Sequence, residues 1–227
     1  MTYSPTLDIV AIVWFFGTWI GYQKITSLEH FRSLSIAGAT QIHRRTWMNN
    51  MARRDNRVLD MVLINGLGQG NAFFASTSVI AVGGLTALLG AGDKVQPLFE
   101  QLPFVAHTDP IIWQARTVVM IAIFIYAFFK YAWAYRLSQY TAILIGATPL
   151  LGEDNEGAVD SHVARTAQLA GIAAEHANMG LRSFYYAIAA FGWMFHPLVF
   201  IAATTWVLGI LVRRDFFSRS KHILSSI

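Results

Sequence analysis

The chain has 227 residues, of which 55% are hydrophobic and only 13% charged, with a formal charge of +4 and no cysteine. That charge content is about half what a soluble domain of this size carries. The missing thiols exclude disulfides, zinc–thiolate and iron–sulfur ligation, and a cysteine nucleophile from this chain. No nucleic-acid motif accompanies the basic balance, which reads instead as Lys and Arg holding loops against anionic headgroups.

Four apolar runs, at about 7–22, 58–91, 111–135 and 184–212, approach the roughly 20 helical residues that cross about 30 Å of hydrocarbon. Unpaired backbone groups are costly in lipid, so each run must be helical. The expectation is an all-α, integral membrane four-helix bundle forming a single domain over residues 1–227. No Lys or Arg precedes the first run and no small-residue cleavage site follows it, so it should stay as a span.

The first span carries a G-x-x-x-G step, Gly17 and Gly21, which lets another helix approach closely. The loop at 25–57 is basic. Within it, residues 40–54 place Ile42, Trp47, Met48 and Met51 among cations, which predicts an interfacial helix lying on the headgroups. Arg44, Arg45, Arg53 and Arg54 would be its anchors.

The second run is too long for one upright helix and too short for a hairpin, so one tilted helix is expected. It carries a second G-x-x-x-G step, Gly66 and Gly70, and the polar side chains Asn65, Gln69, Asn71, Ser76 and Ser78. These read either as hydrogen-bonding glue between helices or as a polar membrane face. A phosphate loop is excluded, because the Walker pattern and its Lys are missing.

The third run opens on Asp109-Pro110, a good N-cap followed by proline at the first helical position. Arg116 is expected to snorkel outward or to pair with Asp109, and Lys130 to snorkel at the other end. An acidic stretch at 150–158 holds Glu153, Asp154 and Glu156. An Ala-rich amphipathic cytoplasmic helix over 161–179 follows, closed by Gly180. Its His162 and His176 are fourteen residues apart, about 21 Å along a helix, too far to share a metal.

In the last run Pro197 cannot donate to the carbonyl of Trp193, so a kink is expected. His196 beside it reads as a hydrogen-bonding group at the kink or as a ligand. The other histidines fall in loops or the tail, so no bis-histidine site can form inside the bundle. No metal site and no cofactor are predicted. No carboxylate falls in the middle of a span, which argues against proton-coupled transport.

Four crossings would put both termini on one side. The loops 25–57 and 136–182, with Lys24 and Lys130, then hold eleven of the seventeen Lys and Arg residues, against six on the other side. The positive-inside rule places the large loops in the cytoplasm and the protein in the cell's inner (plasma) membrane. The basic C-terminal end, on the outer side in this scheme, opposes it.

Several phrases together carry a resemblance. Met51-Ala52-Arg53-Arg54-Asp55-Asn56-Arg57-Val58-Leu59 leads into the second helix, and Ala75-Ser76-Thr77-Ser78-Val79-Ile80 lies inside it. Tyr135-Arg136-Leu137-Ser138-Gln139-Tyr140 begins the close of the third. Gly180-Leu181-Arg182-Ser183-Phe184-Tyr185-Tyr186 opens the last, and Trp193-Met194-Phe195-His196-Pro197 follows. In these the chain resembles the membrane proteins of the domain of unknown function 599 family over about residues 7–212. It departs from the family pattern at His196, where a Gly is expected, and at Ile64-Asn65, where an Arg-Asn pair is expected. The resemblance implies four membrane helices and no established reaction. In the Gly180 phrase, Arg182 reads as a contact to headgroup phosphate or to the preceding helix terminus, with Tyr185 and Tyr186 in the aromatic belt.

The function expected first is a non-catalytic subunit or scaffold of a membrane assembly. Its partners would be membrane lipids including anionic headgroups, and other membrane proteins or a second copy. The alternatives are a small oligomeric transporter or channel using the polar face of the second helix, and a redox protein pairing His196 with a partner's ligand.

Overall fold

The computed structural model describes residues 5–102, 105, 107–152 and 155–226. Glu153 and Asp154 of the acidic stretch lie outside them. Among the described residues the chain forms α1 (Pro5–Ser27), α2 (Glu29–Ser33), α3 (Ile36–Ala52), α4 (Val58–Gly90), α5 (Gly92–Glu100), α6 (Pro110–Gly146), α7 (Glu156–Phe195), α8 (Pro197–Phe216) and α9 (Arg219–Ser225). Four helices are long and apolar enough to cross a membrane: α1, α4, α6 and the one that starts at Pro197.

Local chemistry sets the boundaries. Asp109 accepts a hydrogen bond from the Ile111 N–H at 2.8 Å, with Pro110 at the first helical position, so α6 starts as expected. His196 ends α7 in an extended conformation, and its Nδ1 accepts from the Leu198 N–H at 3.1 Å, which starts α8. The run 184–212 is therefore not one kinked span. The chain reverses at His196-Pro197, and α8 returns antiparallel to α7. Trp193 stacks on Phe200 at 5.0 Å, and further from the turn Arg182 reaches Asp215 at 2.8 Å. Proline removes a donor and the extended residue before it breaks the ladder. Here the two effects make a turn, and His196 sits at the end of the bundle instead of mid-helix.

The pairings of α4 with α6 and of α6 with α7 are antiparallel as well, whereas α1 runs parallel to α8, with Trp14 bonded to Thr205 and Tyr22 to Asp215. Along α4 and α6, Gly68 faces Ser138 and Tyr135 and Phe74 stacks on Tyr131 at 5.2 Å, and just past α4 the first residue of α5, Gly92, abuts Trp113. Along α6 and α7, Gly180 lies against the Tyr131 ring, where a Cβ would come within 2.8 Å of a ring carbon. Gly180 does not close a helix, as its type suggested. α7 runs through it for 40 residues, and the missing side chain admits the tyrosine. Phe15 of α1 meets Tyr186 at 5.5 Å and Phe200 at 4.9 Å, joining α1, α7 and α8 in the main core.

At 1.5 Å per residue, the 37 residues of α6 and the 40 of α7 measure about 55 and 60 Å. Both exceed a hydrocarbon slab of about 30 Å. The excess gathers at one end around α3. There Met48 and Met51 are fully buried against Ile64, Ile145, Val159 and Val163 in a second core. The helix expected within 25–57 thus forms, but these two methionines face protein instead of lipid, while Ile42 stays exposed.

At the other end Glu100 ties α5 to the start of α6. Its Oε1 accepts from Gln96 Nε2 at 3.0 Å and from the Thr108 N–H at 3.3 Å, and its Oε2 lies 2.8 Å from His107 Nδ1. The Gln96 and His107 contacts hold its carboxyl below the usual value of 4.5. A depressed folded value means that the stabilisation is fully present above the ordinary value and lost as pH falls through the folded one. Hydrogen exchange over residues 92–102, corrected for intrinsic rates, is expected to accelerate when pH drops from about 6 to about 3. Glu100→Gln should flatten that dependence. An unchanged pH profile in the variant would remove Glu100 as its cause.

Candidate functional site

Two layers of buried charge hold the bundle. In the first, Arg116 Nη2 donates to both carboxylate oxygens of Asp8, at 3.0 and 2.8 Å, and Nη1 donates to the Trp193 carbonyl at 2.9 Å. The Trp193 indole N–H donates to Asp8 at 2.8 Å, and the guanidinium lies 5.3 Å from the Trp193 ring centroid. Arg116 is 1% exposed and Asp8 4%. Arg116 thus neither snorkels nor pairs with Asp109. Its partner is Asp8, near the start of the first predicted span and 108 residues away in sequence.

The second layer joins α1, α7 and α8. Asp215 Oδ2 accepts from the Tyr22 hydroxyl and from Arg182 Nη2, both at 2.8 Å, and Oδ1 accepts from Arg214 Nε at 2.9 Å. Arg182 Nη1 donates to the Thr26 hydroxyl at 2.6 Å. Arg182 is therefore no headgroup anchor, since it is 7% exposed and bound inside the protein. Tyr186, expected in the aromatic belt, is fully buried in the core. Asp8 and Tyr22 are fourteen residues apart on one helix, so the layers lie about 20 Å apart.

The remaining anchor candidates divide. Arg45 and Arg53 are exposed. Arg54 pairs with the fully buried Asp60 at 3.0 Å, and the Trp47 indole donates to the same oxygen at 2.7 Å. Arg57 donates to the carbonyls of Thr148 and Pro149, closing the C-terminus of α6. Arg44 is half-buried with no carboxylate partner among the described residues.

Arg44 stands where two cavities meet between α3 and α7. A recess of about 30 Å³ is lined by Thr26, Ser27, Arg32, Glu175, Asn178 and Arg182. A cleft of about 270 Å³ continues from it past Ile64, Leu67, Asn71, Ser138 and Ala173. Both share Ala37, Arg44, Ala174 and Asn178.

The polar residues of α4 do not form one face. Asn65, Gln69 and Ser76 are exposed along one side, Asn71 lines the cleft, and Ser78 is fully buried and donates to the Phe74 carbonyl at 2.8 Å. The glycine steps differ from expectation too. Gly17, Gly21, Gly66 and Gly70 have nothing within 4 Å of a Cβ position, so no helix of this chain packs on them. Close approaches fall instead at Gly38, Gly92, Gly171, Gly180 and Gly192, which lie outside any G-x-x-x-G step that drew notice. His162 Nε2 lies 2.8 Å from the Leu144 carbonyl. Lys130 lies 5.1 Å from the Tyr126 ring centroid. Among the described residues no three His, Asp or Glu side chains gather around a common point.

Stacked apolar helices, internally paired charge at membrane depth and an all-helical fold define a multi-pass membrane protein. Within that class the chain belongs to the family described as protein of unknown function, DUF599, whose model matches residues 10–220. No curated protein and no solved structure matches the chain. The phrases that carried the resemblance fall on joints of the fold. They include the Arg54–Asp60 pair, the Arg57 cap, the Gly180–Tyr131 approach, the Arg182–Asp215 pair and the turn at His196-Pro197.

Proposed function

We propose that the protein is a non-catalytic subunit of a membrane assembly in the cell's inner (plasma) membrane, docking partner helices on its outer glycine faces. The observation that carries this reading is that both G-x-x-x-G steps are open on the surface of the bundle. Gly17 and Gly21 floor an apolar groove of about 520 Å³ between α1 and α8, walled by Ile25, Leu34, Leu208, Val212 and Phe217. Small residues that admit no helix of their own chain leave room for the backbone of another.

The reversal at His196 supports an orientation. It puts the start of α1 at the end of the bundle with Trp193, and Asp215 with the basic tail at the end with Thr26. The His43 ring, 3.1 Å from the Leu224 carbonyl, keeps the tail there. Arg213, Arg214, Arg219 and Lys221 then join the eleven cations of the large loops. Only Lys94 and Arg116 of the seventeen Lys and Arg remain at the other end. The positive-inside rule favours the cationic end in the cytoplasm far more strongly than four crossings allowed.

Leucine at the four open glycines should leave the fold intact, because nothing within the chain meets the added atoms. Mild-detergent purification of native-level tagged protein, with mass spectrometry, is expected to retain stoichiometric partners. Gly17→Leu/Gly21→Leu or Gly66→Leu/Gly70→Leu should release them. Partners that survive both pairs of substitutions, or a partner-free monomer, would overturn the reading. The second reading, an oligomeric channel, has support in the shared exposed side of Asn65, Gln69 and Ser76, which several copies could turn toward one axis. It requires a homo-oligomer whose solute flux in liposomes falls with Asn65→Leu or Gln69→Leu.

A further inference from the structure

The layer around Arg182 holds more positive than negative charge. Arg182 and Arg214 share Asp215, and Arg32 reaches Glu175 at 3.7 Å. Arg44 is the fourth guanidinium, so four cations face two carboxylates. Its hydrogen bonds are long and neutral, to Thr40 Oγ1 at 3.4 Å and Gln41 Oε1 at 3.3 Å. Burial first, and Arg32 second, depress its pKa from the ordinary arginine value. A guanidinium does not shed its proton in a protein, so that pressure remains as an unbalanced positive charge. Uncompensated buried charge is costly, and a counter-ion relieves it.

The surroundings supply what an anion needs. Asn178 and Asn71 are half-buried and make no side-chain hydrogen bond among the described residues, so their amide groups are free to donate. Arg44 and Asn178 both line the recess and the cleft. Glu175 on the recess would repel an anion, but it is paired with Arg32 at 3.7 Å, which offsets that repulsion. Beyond the join the cleft is walled by Ile64, Leu67, Ala173 and Ala177, suited to hydrocarbon. We propose that Arg44, with Arg32 and Asn178, binds a phosphate-class anion at the join of recess and cleft between α3 and α7. The level is right for a phospholipid headgroup, because the Arg182 layer lies at one end of a segment that a bilayer of about 30 Å would contain. An acyl chain in the cleft and a free phosphate in the recess are the two sources of the same chemistry.

The test uses the full chain in nanodiscs of phosphatidylcholine, with and without phosphatidic acid, and native mass spectrometry of the lipids retained. Wild-type protein is expected to retain phosphatidic acid. Arg44→Gln should weaken retention about 10- to 100-fold, the value of a charge-assisted contact. Arg44→Lys should fall between, since it keeps the charge and loses the fork. Arg45→Gln removes the same charge from the exposed neighbouring position and should change retention less than about fivefold. Helical circular dichroism and a monodisperse elution profile confirm folding. If Arg44→Gln does not fold, Asn178→Leu tests the same site without a change of charge and should also weaken retention. Inorganic phosphate raising the thermal midpoint in neutral detergent, in wild type but not Arg44→Gln, would support the site and make free phosphate its ligand. Equal losses in Arg44→Gln and Arg45→Gln would overturn the proposal, as would folded wild-type protein that answers neither to phosphatidic acid nor to phosphate.

Discussion

Arg116→Gln is expected to destabilise the folded bundle by about 3–5 kcal/mol, because it leaves Asp8 buried without its countercharge. Against a total stability of about 5–15 kcal/mol that is a large fraction. The pair is isolated: among the described residues Asp8 bonds only to Arg116 and the Trp193 indole, and both charged side chains are almost wholly buried. Arg182→Gln should do less damage, since Asp215 keeps Arg214 and the Tyr22 hydroxyl. The contrast between the two layers is part of the prediction. Replacing both members of the first pair, as in Asp8→Leu/Arg116→Met, should recover most of the loss, since apolar replacements of a buried pair are often neutral or better. Reversible unfolding in mixed detergent, followed by circular dichroism, gives the cycle. Single-variant losses below about 1 kcal/mol would mean that water reaches the pair and that the layer does not hold α1 to the bundle.

Much of the fold could be read from composition and spacing. Run length gave α1, α4 and α6, because lipid leaves a long apolar segment no alternative to helix. Asp109-Pro110 gave the start of α6 to the residue, because capping is local chemistry. The hairpin of α7 and α8 was hidden for a physical reason. The inner part of α7 is packed on several sides, so it uses Ser183, Tyr186, Trp193 and small residues where a lipid-facing helix would carry Leu and Ile. Run together with α8, the two passes resemble one long segment with a proline in it. Proline marks an interruption in either case, and whether the chain bends or reverses depends on packing many residues away.

The charged layers were legible only in part. Arg116 stood out as a cation within a span, and Arg182 as a contact to headgroup phosphate or to the preceding helix terminus. Their carboxylates are separated from them by 108 and 33 residues, distances at which spacing carries no signal. Asp8 and Asp215 lay at the edges of predicted spans and looked like boundary residues. The glycines mislead for a similar reason. A G-x-x-x-G step reports that a helix can be approached, and it does not name the partner. The steps at Gly17 and Gly66 face outward, while Gly180, with no such pattern, makes the closest helix contact to a ring.

A reporter fused ahead of residue 5 and one fused after residue 226 are expected to lie on opposite sides of the membrane, the first outside and the second in the cytoplasm. Four crossings would put both on the same side, so the outcome is all or none. The expectation rests on the bundle's own geometry. Asp8 shares a layer with Trp193, next to the turn, and Tyr22 shares one with Asp215, next to the tail. Between those layers the inner part of α7 and α8 run side by side, so the proposed orientation has both cross the hydrocarbon that contains α1. An alkaline phosphatase fusion, active only outside, and a fluorescent-protein fusion, active only inside, read the two ends independently. Because the chain has no cysteine, single cysteines at Lys94 and Arg219 provide a second measure. An impermeant maleimide should label the first in intact cells and the second only after lysis. Labelling of both positions from outside would require the tail to leave the α3 end, and with it the pairing of His43 and Leu224 would have to be abandoned. Termini on opposite sides would put fifteen of the seventeen Lys and Arg residues on the cytoplasmic side, where anionic headgroups would be available to the cleft at Arg44.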